Sequence, residues 1–369
     1  MNIPFIDLKT QYRRMEDRLR ARIDAVLDHG RYINGPEVTE LEEKLAEFAG
    51  TRFSVACSSG TDALLMPLMA WDIKPGDAVF TTPFTFIATA EVIALLGATP
   101  VFVDIEPDTF NICPKALERE IETVVREGEL NPKAVIPVDL FGLCADYDAI
   151  EAVAAKRGLI VLQDAAQSMG AEYKGKRAGS MGRAAATSFY PAKPLGGYGD
   201  GGAVFTDDEN LYQILKSVRE HGLGHHRYEN VRIGINGRLD SLQAAVLLTK
   251  LEDFPEELEA RQRVADWYGA KLKTVTTPVV PEGYRSAWAQ YSVLVDQRQN
   301  VLDRLKEAGI PHTIYYPKPL HLQPAFAKLG YQTGDYPVSE SASRRIFSLP
   351  MNPFLEEAHI DRIAEVLNG

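Results

Sequence analysis

The sequence is poor in cysteine, in long hydrophobic runs and in positive charge. Its three cysteines, Cys57, Cys113 and Cys144, are far apart among 369 residues, which fits neither a disulfide framework nor the paired spacing of a structural zinc site. No apolar stretch reaches membrane-spanning length, and the first residues lack the basic start and the apolar run of a signal peptide. These absences predict a cytoplasmic protein that does not enter a membrane.

Basic residues are outnumbered by acidic ones, 40 against 51, which gives a formal net charge of −11. This balance argues against nucleic acid or an anionic membrane as the main partner, although a local positive pocket can still bind a small anion. The hydrophobic content of 45% and the charged content of 25% are those of an ordinary globular protein. At this length we expect a large domain, residues 1–252, and a smaller one, residues 253–369.

Short apolar strands alternate with helical patterns in the N-terminal half of the chain. The predicted strands lie at 53–57, 78–81, 100–104, 134–138, 159–164 and 203–206. This alternation predicts an α/β fold with a mainly parallel sheet covered by helices on both faces, and ligands collect beyond the carboxyl ends of such strands. A helix at 240–250, a break at Phe254-Pro255 and a second helix at 256–272 lead into a predicted small C-terminal α+β domain.

The chemistry is predicted to centre on Lys193, which lies between Pro191 and Pro194 and precedes five glycines in residues 196–202. Proline fixes φ and breaks helices, so this lysine is expected in a stiff turn and not on a solvated helix face. The glycines allow the backbone to approach a bulky group closely. A surface lysine in a flexible loop is the alternative interpretation.

Pyridoxal phosphate would account for this lysine together with an aspartate at a strand end. The cofactor requires a lysine that forms a Schiff base, an acid that keeps the ring nitrogen protonated, a group that stacks on the ring, and a phosphate site. Lys193 meets the first requirement and would also move the proton during the reaction. Asp164, at the end of an apolar strand, meets the second, with capping of the next turn as its alternative role.

The ring and the phosphate need further groups. Phe86 is predicted to stack on the ring, although a core phenylalanine would show the same spacing. Gln167 either contacts the phenolic oxygen of the ring or caps a helix. A plain N-cap by Ser59 or Thr61 is the alternative to a phosphate site at the helix start. The predicted phosphate ligands are Gly60, Thr61, Ser188 and Asn236.

Two rival kinds of site are weaker. The glycine run that ends at Gly202 precedes a strand and not a helix, so it is not a dinucleotide-binding motif. His221, His225 and His226 lie close together without accompanying carboxylates, and we predict no metal site there.

Motifs along the whole chain resemble the nucleotide-sugar aminotransferase family of pyridoxal-phosphate enzymes. They read Phe5-Ile-Asp-Leu8, Gly60-Thr-Asp-Ala63, Thr85-Phe-Ile-Ala-Thr89, Asp164-Ala-Ala-Gln167, Ser188-Phe-Tyr-Pro-Ala-Lys193, Gly199-Asp-Gly-Gly202, Asn236-Gly-Arg238 and Pro319-Leu-His-Leu-Gln-Pro324. Within this family the sequence is most similar to members that aminate a UDP-linked 3-keto-N-acetylhexosaminuronate in surface-polysaccharide (lipopolysaccharide) synthesis.

The resemblance implies an aspartate-aminotransferase-like fold (fold type I), L-glutamate as the amino donor, and a homodimer with shared active sites. It implies for Lys193, Asp164 and the ring and phosphate contacts the roles given above, with Asn236 supplied by the partner subunit. Arg238 would pair with the carboxylate of the sugar, with an interface salt bridge as the alternative. The implied contacts of the sugar nucleotide are Tyr315, Tyr316 and His321.

Two positions depart from the family pattern. Ala192 replaces a serine that is often found there, and Gly237 stands where relatives usually carry a larger residue, which bears on the sugar specificity. Some relatives carry histidine in place of the reactive lysine and dehydrate their substrate, and Lys193 argues against that branch. The alternatives that stay open are a 4-keto-6-deoxy nucleotide-sugar aminotransferase, a lyase of the same fold, and a non-catalytic regulator that retained the fold.

Overall fold

The centre of the protein is a sheet of short buried strands, seen in a computed structural model that describes residues 3–226 and 228–369. The strands are β1 (Phe53–Cys57), β2 (Asp77–Thr81), β3 (Thr99–Phe102), β4 (Asn131–Ile136), β5 (Ile160–Asp164), β6 (Glu172–Tyr173), β7 (Lys176–Arg177), β8 (Ala184–Ser188), β9 (Gly202–Thr206), β10 (Tyr284–Arg285), β11 (Tyr291–Leu294) and β12 (Ile346–Leu349). Seven of them form the central sheet in the order β1-β9-β8-β5-β4-β2-β3. Only β9 runs against its neighbours within this sheet.

Helices cover both faces of the sheet. They are α1 (Leu8–His29), α2 (Pro36–Ala49), α3 (Gly60–Ala70), α4 (Ala88–Leu95), α5 (Pro114–Glu127), α6 (Tyr147–Ala155), α7 (Glu209–Arg219), α8 (Ser241–Lys271), α9 (Arg298–Glu307), α10 (Pro337–Arg345) and α11 (Glu357–Asn368). Apolar side chains of α2, α5, α6 and α8 pack on one face, and those of α3, α4 and α7 pack on the other. The predicted α/β fold with a covered, mainly parallel sheet is confirmed.

The helix ends follow local sequence signals. Asp7 caps α1 by accepting a hydrogen bond from the Thr10 N–H at 2.9 Å. Pro114 begins α5, and Gly128 ends it with a φ of +71°, a left-handed conformation that glycine adopts without strain.

The carboxyl ends of β1, β5 and β8 meet at one edge of the sheet, because these three strands point in the same direction. Gly202, at the start of β9, lies opposite both Ser188 and Cys57. Asp164 pairs with Ala186 of β8. Asp164, Ser188 and the turn before α3 therefore share one edge, as predicted.

The C-terminal residues form a separate apolar cluster around β11, β12, α9 and α11. The N-terminal segment joins this cluster, since Ile3 is buried in it and the Met351 N–H donates to the Phe5 carbonyl at 3.3 Å. The predicted break at Phe254-Pro255 is wrong, because α8 continues through Pro255. The predicted boundary between residues 252 and 253 thus lies inside a helix that serves both parts.

Two kinds of feature are absent from the described ranges. None of their helices is long and apolar enough to cross a membrane. Nor do they contain a group of three His, Cys, Asp or Glu side chains that could hold a metal ion.

Candidate active site

Asp164 presents a buried carboxylate at the end of β5, with only 4% of the residue exposed. Its Oδ2 accepts a hydrogen bond from Thr89 Oγ1 at 2.8 Å, and its Oδ1 accepts one from the Ala166 N–H at 3.2 Å. Burial raises the pKa of this carboxyl, while the two hydrogen bonds and the charge of Lys193 oppose the rise. A buried carboxylate held by two neutral donors keeps lone pairs for a cation such as a protonated ring nitrogen.

Lys193 lies half-buried in a turn that its own N–H closes by donating to the Tyr190 carbonyl at 2.8 Å. Burial lowers the pKa of its ammonium group, and the attraction of the Asp164 carboxylate partly offsets this. A lowered pKa increases the fraction of neutral amine, which is the nucleophilic form. Asp164 pairs with Ala186 of β8, and this strand ends at Ser188, five residues before Lys193, so the fold brings both segments to the same edge of the sheet.

The start of α3 and the end of β8 form a corner suited to a phosphate. The first N–H groups of a helix, here those of Gly60 and Thr61, need acceptors from outside the helix, and an anion can supply them. Ser59 acts as the N-cap, since its Oγ accepts the Asp62 N–H at 3.0 Å, so capping and anion binding coexist here. A Cβ on Gly60 would lie 2.5 Å from the Cβ of Ser188, so only glycine permits this close approach.

The aromatic and amide groups predicted to contact the ring lie on neighbouring segments. Phe86 is 56% exposed and therefore is not a core residue. Gln167 is buried, with Oε1 accepting the Phe141 N–H at 2.8 Å and Nε2 donating to the Tyr316 hydroxyl at 3.1 Å. An amide nitrogen has two protons, so one remains for a ligand. These contacts bring Tyr316 to the site, and Tyr315 lies half-buried beside it.

The structure buries His321 between Glu340 and Tyr336, and its predicted contact with the sugar nucleotide stays a prediction. This residue is 2% exposed, its Nε2 lies 3.2 Å from Glu340 Oε1, and its ring packs against Tyr336 with a centroid distance of 4.8 Å. The cost of burying a polar ring is reduced when it has a hydrogen-bond partner, and Glu340 provides one. His321 is therefore an interior residue in this chain.

Asn236 and Arg238 flank Gly237, whose carbonyl accepts the Ser58 N–H at 3.0 Å. Because Ser58 directly precedes the N-cap of α3, this bond places the segment near the start of α3 of its own chain. Asn236 is exposed there and Arg238 is half-buried. The role of Asn236 in the phosphate site of a partner subunit stays a prediction.

Several groups that support the site were missed at the sequence level. Thr89 could have been found from the sequence, because it lies four residues after Thr85, a spacing that brings two side chains together in a helical turn. In the structure the two hydroxyls are 3.2 Å apart, and Thr89 donates to Asp164. No sequence pattern points to Asp139, although it is fully buried and forms hydrogen bonds with the segment that contains Asp164 and Gln167. Its carboxylate accepts four hydrogen bonds of 2.7–3.0 Å, from the Ala145 N–H, Tyr147, Gln163 and Ser168.

These residues fit pyridoxal phosphate by the chemistry of their donors. A lysine of lowered pKa, a buried carboxylate with spare lone pairs, and a helix start beside a serine hydroxyl match its aldehyde, its ring nitrogen and its phosphate. Fold and site together define a pyridoxal-phosphate-dependent aminotransferase of fold type I. The chain belongs to the DegT/DnrJ/EryC1/StrS aminotransferase family, whose model matches residues 13–368.

The similarity to known proteins covers the whole length of the chain. UDP-2-acetamido-2-deoxy-3-oxo-D-glucuronate aminotransferase of Pseudomonas aeruginosa is 49% identical over 369 residues, covering 100% of both chains. A crystal structure of a DegT/DnrJ/EryC1/StrS aminotransferase from Brucella abortus matches with a TM-score of 0.97 and 53% identity, covering 100% of this chain and 99% of that one. The pyridoxal-phosphate form of the putative sugar aminotransferase Spr1654 from Streptococcus pneumoniae matches with a TM-score of 0.89 and 27% identity, covering 100% and 98%. The predicted family, enzyme class and cofactor are confirmed.

Proposed function

We propose that this nucleotide-sugar aminotransferase moves an amino group from L-glutamate to the keto carbon of a UDP-linked 3-keto-N-acetylhexosaminuronate, for a surface polysaccharide such as lipopolysaccharide. The 49% identical, full-length relative with a substrate name of that kind supports the proposal. The observation that carries it is Arg238, which is half-buried and whose Nε is buried without a hydrogen-bond partner in the part of the chain that the structure describes. An unused guanidinium donor suits a carboxylate, which accepts two parallel N–H bonds.

The chain's own residues would divide the work of the reaction. Bound pyridoxal phosphate supplies an aldehyde that condenses with amines and a ring that withdraws electrons from the bond being broken. The Asp164 carboxylate holds a proton on the ring nitrogen, because a nearby negative charge favours the protonated form. Lys193 Nζ takes up and returns the proton at the substrate carbon, a task suited to an amine of lowered pKa. Gly60, Thr61 and Ser188 hold the phosphate.

The substrate is tested by comparing a 3-keto uronate with its uncharged hexose analogue, each linked to UDP, in the presence of glutamate. Release of 2-oxoglutarate gives kcat/KM for both. A hydrogen bond to a charged group contributes about 1.5–3 kcal/mol, so Arg238→Ala should lower kcat/KM for the uronate by about 10- to 150-fold. The loss for the uncharged analogue should stay below about threefold.

A matched control is Arg126→Ala, which removes an exposed arginine on the outer side of α5. This substitution should leave kcat/KM unchanged for both sugars. Equal losses for both sugars in Arg238→Ala would remove the carboxylate role, and faster turnover of a 4-keto-6-deoxy sugar would favour that alternative substrate. Cofactor binding without any 2-oxoglutarate release would indicate a non-catalytic regulator.

We also propose a homodimer with shared active sites. Large apolar side chains are exposed near the Asn236–Arg238 segment, and patches of this kind are typical of protein interfaces. They are Tyr32 (49%), Ile33 (48%), Val231 (53%) and Ile233 (85%). Light scattering should give twice the mass of one chain, and Ile233→Asp should shift it toward the monomer. The cytoplasmic location stays a prediction.

A further inference from the structure

One face of α8 carries polar residues at intervals of seven, Gln243, Lys250 and Glu257. Seven residues make nearly two turns of an α-helix, so the three side chains point the same way. Lys250 is only 2% exposed and Glu257 8%, which is unusual for charged residues. This polar stripe therefore needs partners inside the protein.

Glu257 accepts hydrogen bonds from Gln11, whereas the partners of Gln243 and Lys250 lie in residues 196–198, shortly after Lys193. Lys250 Nζ donates to the Gly196 carbonyl at 2.6 Å and lies 4.3 Å from the centroid of the Tyr198 ring. Gln243 Oε1 accepts the Tyr198 N–H at 2.8 Å. Burial lowers the pKa of the Lys250 ammonium group to about 8, and the nearby Glu257 carboxylate opposes this shift and favours the charged form. Hence α8 holds the backbone of residues 196–198 from one side.

The same glycines close the loop that carries Lys193. The Gly197 N–H donates to the Phe189 carbonyl at 2.7 Å, which joins the two ends of the loop. A Cβ on Gly196 would lie 2.5 Å from the Pro191 carbonyl oxygen, so the backbone of Gly196 rests directly on the turn of Lys193. Lys250 is thus connected to that turn through Gly196 alone.

We propose that Lys250 is a positioning residue for Lys193. Its ammonium group fixes the Gly196 carbonyl and the Tyr198 ring, and these fix the turn from which the reactive amine extends. A charge-assisted hydrogen bond combined with a cation–π contact makes a stiffer support than a neutral bond would. The inference rests on the pyridoxal-phosphate site but not on the identity of the sugar.

The test uses Lys250→Met, which keeps the shape of the side chain and removes the donor and the charge. We expect the dissociation constant for pyridoxal phosphate, measured by titrating the apoprotein, to rise by about tenfold, an effect of the size of one lost hydrogen bond to a charged group. Hydrogen exchange of residues 189–199 should accelerate. Lys250→Gln, which restores an N–H donor, should recover part of both effects.

Arg261→Met is the matched control, because Arg261 is also a buried cation on α8 but donates to the Trp288 and Met351 carbonyls in the C-terminal part. It should lower the thermal stability and leave the cofactor affinity within about twofold. Wild-type affinity and exchange in Lys250→Met would overturn the proposal, and so would equal changes in Arg261→Met.

A measurement on the unmodified protein covers the case in which Lys250→Met does not fold. The Gly197 and Tyr198 amides should exchange as slowly as amides in the buried part of α8, because the contacts of Lys250 and Gln243 hold residues 196–198 in place. Exchange at the rate of an exposed turn would overturn the proposal.

Discussion

Replacing Gly60 with alanine tests how closely the start of α3 must approach Ser188. The new Cβ would lie 2.5 Å from the Ser188 Cβ and 2.9 Å from its Oγ, so the helix start or the strand end must shift. Overpacking of this kind costs about 1–3 kcal/mol of stability. The shift also moves the Gly60 and Thr61 N–H groups away from the phosphate. Losing one hydrogen bond to a charged group corresponds to about a 10- to 150-fold loss of affinity.

The assay is titration of the apoprotein with pyridoxal phosphate, combined with urea unfolding. Gly269→Ala is the matched control, because a Cβ there meets no described atom within 4 Å and φ is not positive, so it should stabilise α8 by about 0.5–1 kcal/mol and leave the affinity unchanged. Adding Ser188→Gly to Gly60→Ala removes the clashing atoms and should restore stability, but not affinity, because the hydroxyl is lost. Wild-type affinity in Gly60→Ala would refute the assignment of this corner to the phosphate.

Three further substitutions separate catalytic from structural roles. Asp164→Asn should slow amino transfer from glutamate at least about 100-fold, because an amide cannot hold a proton on the ring nitrogen. Stopped-flow absorbance would measure the rate, and a near-normal rate would contradict the role of Asp164. For Asp139, burial raises the pKa from 3.8 to about 6, so its contribution to stability is present at low pH and is lost as the pH rises through 6. Relative to Asp139→Asn, the wild type should therefore gain about 1.4 kcal/mol in free energy of unfolding between pH 8 and pH 5, and a pH-independent difference would argue against it. His321→Asn should lower the melting temperature and leave KM for the sugar unchanged, since His321 is buried against Glu340; the reverse result would support its predicted substrate contact.

The central sheet was predictable because its strands are continuous apolar runs separated by helical patterns. β1 has the predicted bounds, and β5 ends at the predicted residue, Asp164. β12 was missed because its four residues, Ile-Phe-Ser-Leu, are too few to show a periodicity that distinguishes strand from helix. Its pairing with the distant β11 defines it as a strand. The prediction of a break at Pro255 is wrong because the fully buried Phe254 and the Gln11–Glu257 hydrogen bonds of 2.9 Å hold α8 in place on both sides of this proline.

The site was predictable where a residue follows a strand or opens a helix, as Asp164, Ser188 and Gly60 do. It was not predictable where tertiary hydrogen bonds decide the role. Asp139 gains its importance from four donors brought together by folding. His321 turns inward because its segment is anchored to the loop before Phe86, where the Leu320 N–H donates to the Pro83 carbonyl at 2.7 Å.

The most direct test is to locate the attachment of the cofactor. The protein is incubated with pyridoxal phosphate, reduced with borohydride and digested, and the modified peptide is identified by mass spectrometry. The expected result is one pyridoxyl group, on Lys193, and none after Lys193→Ala. Modification of a different lysine, or equal labelling of the Lys193→Ala variant, would contradict the assignment of Lys193 as the reactive amine beside Asp164.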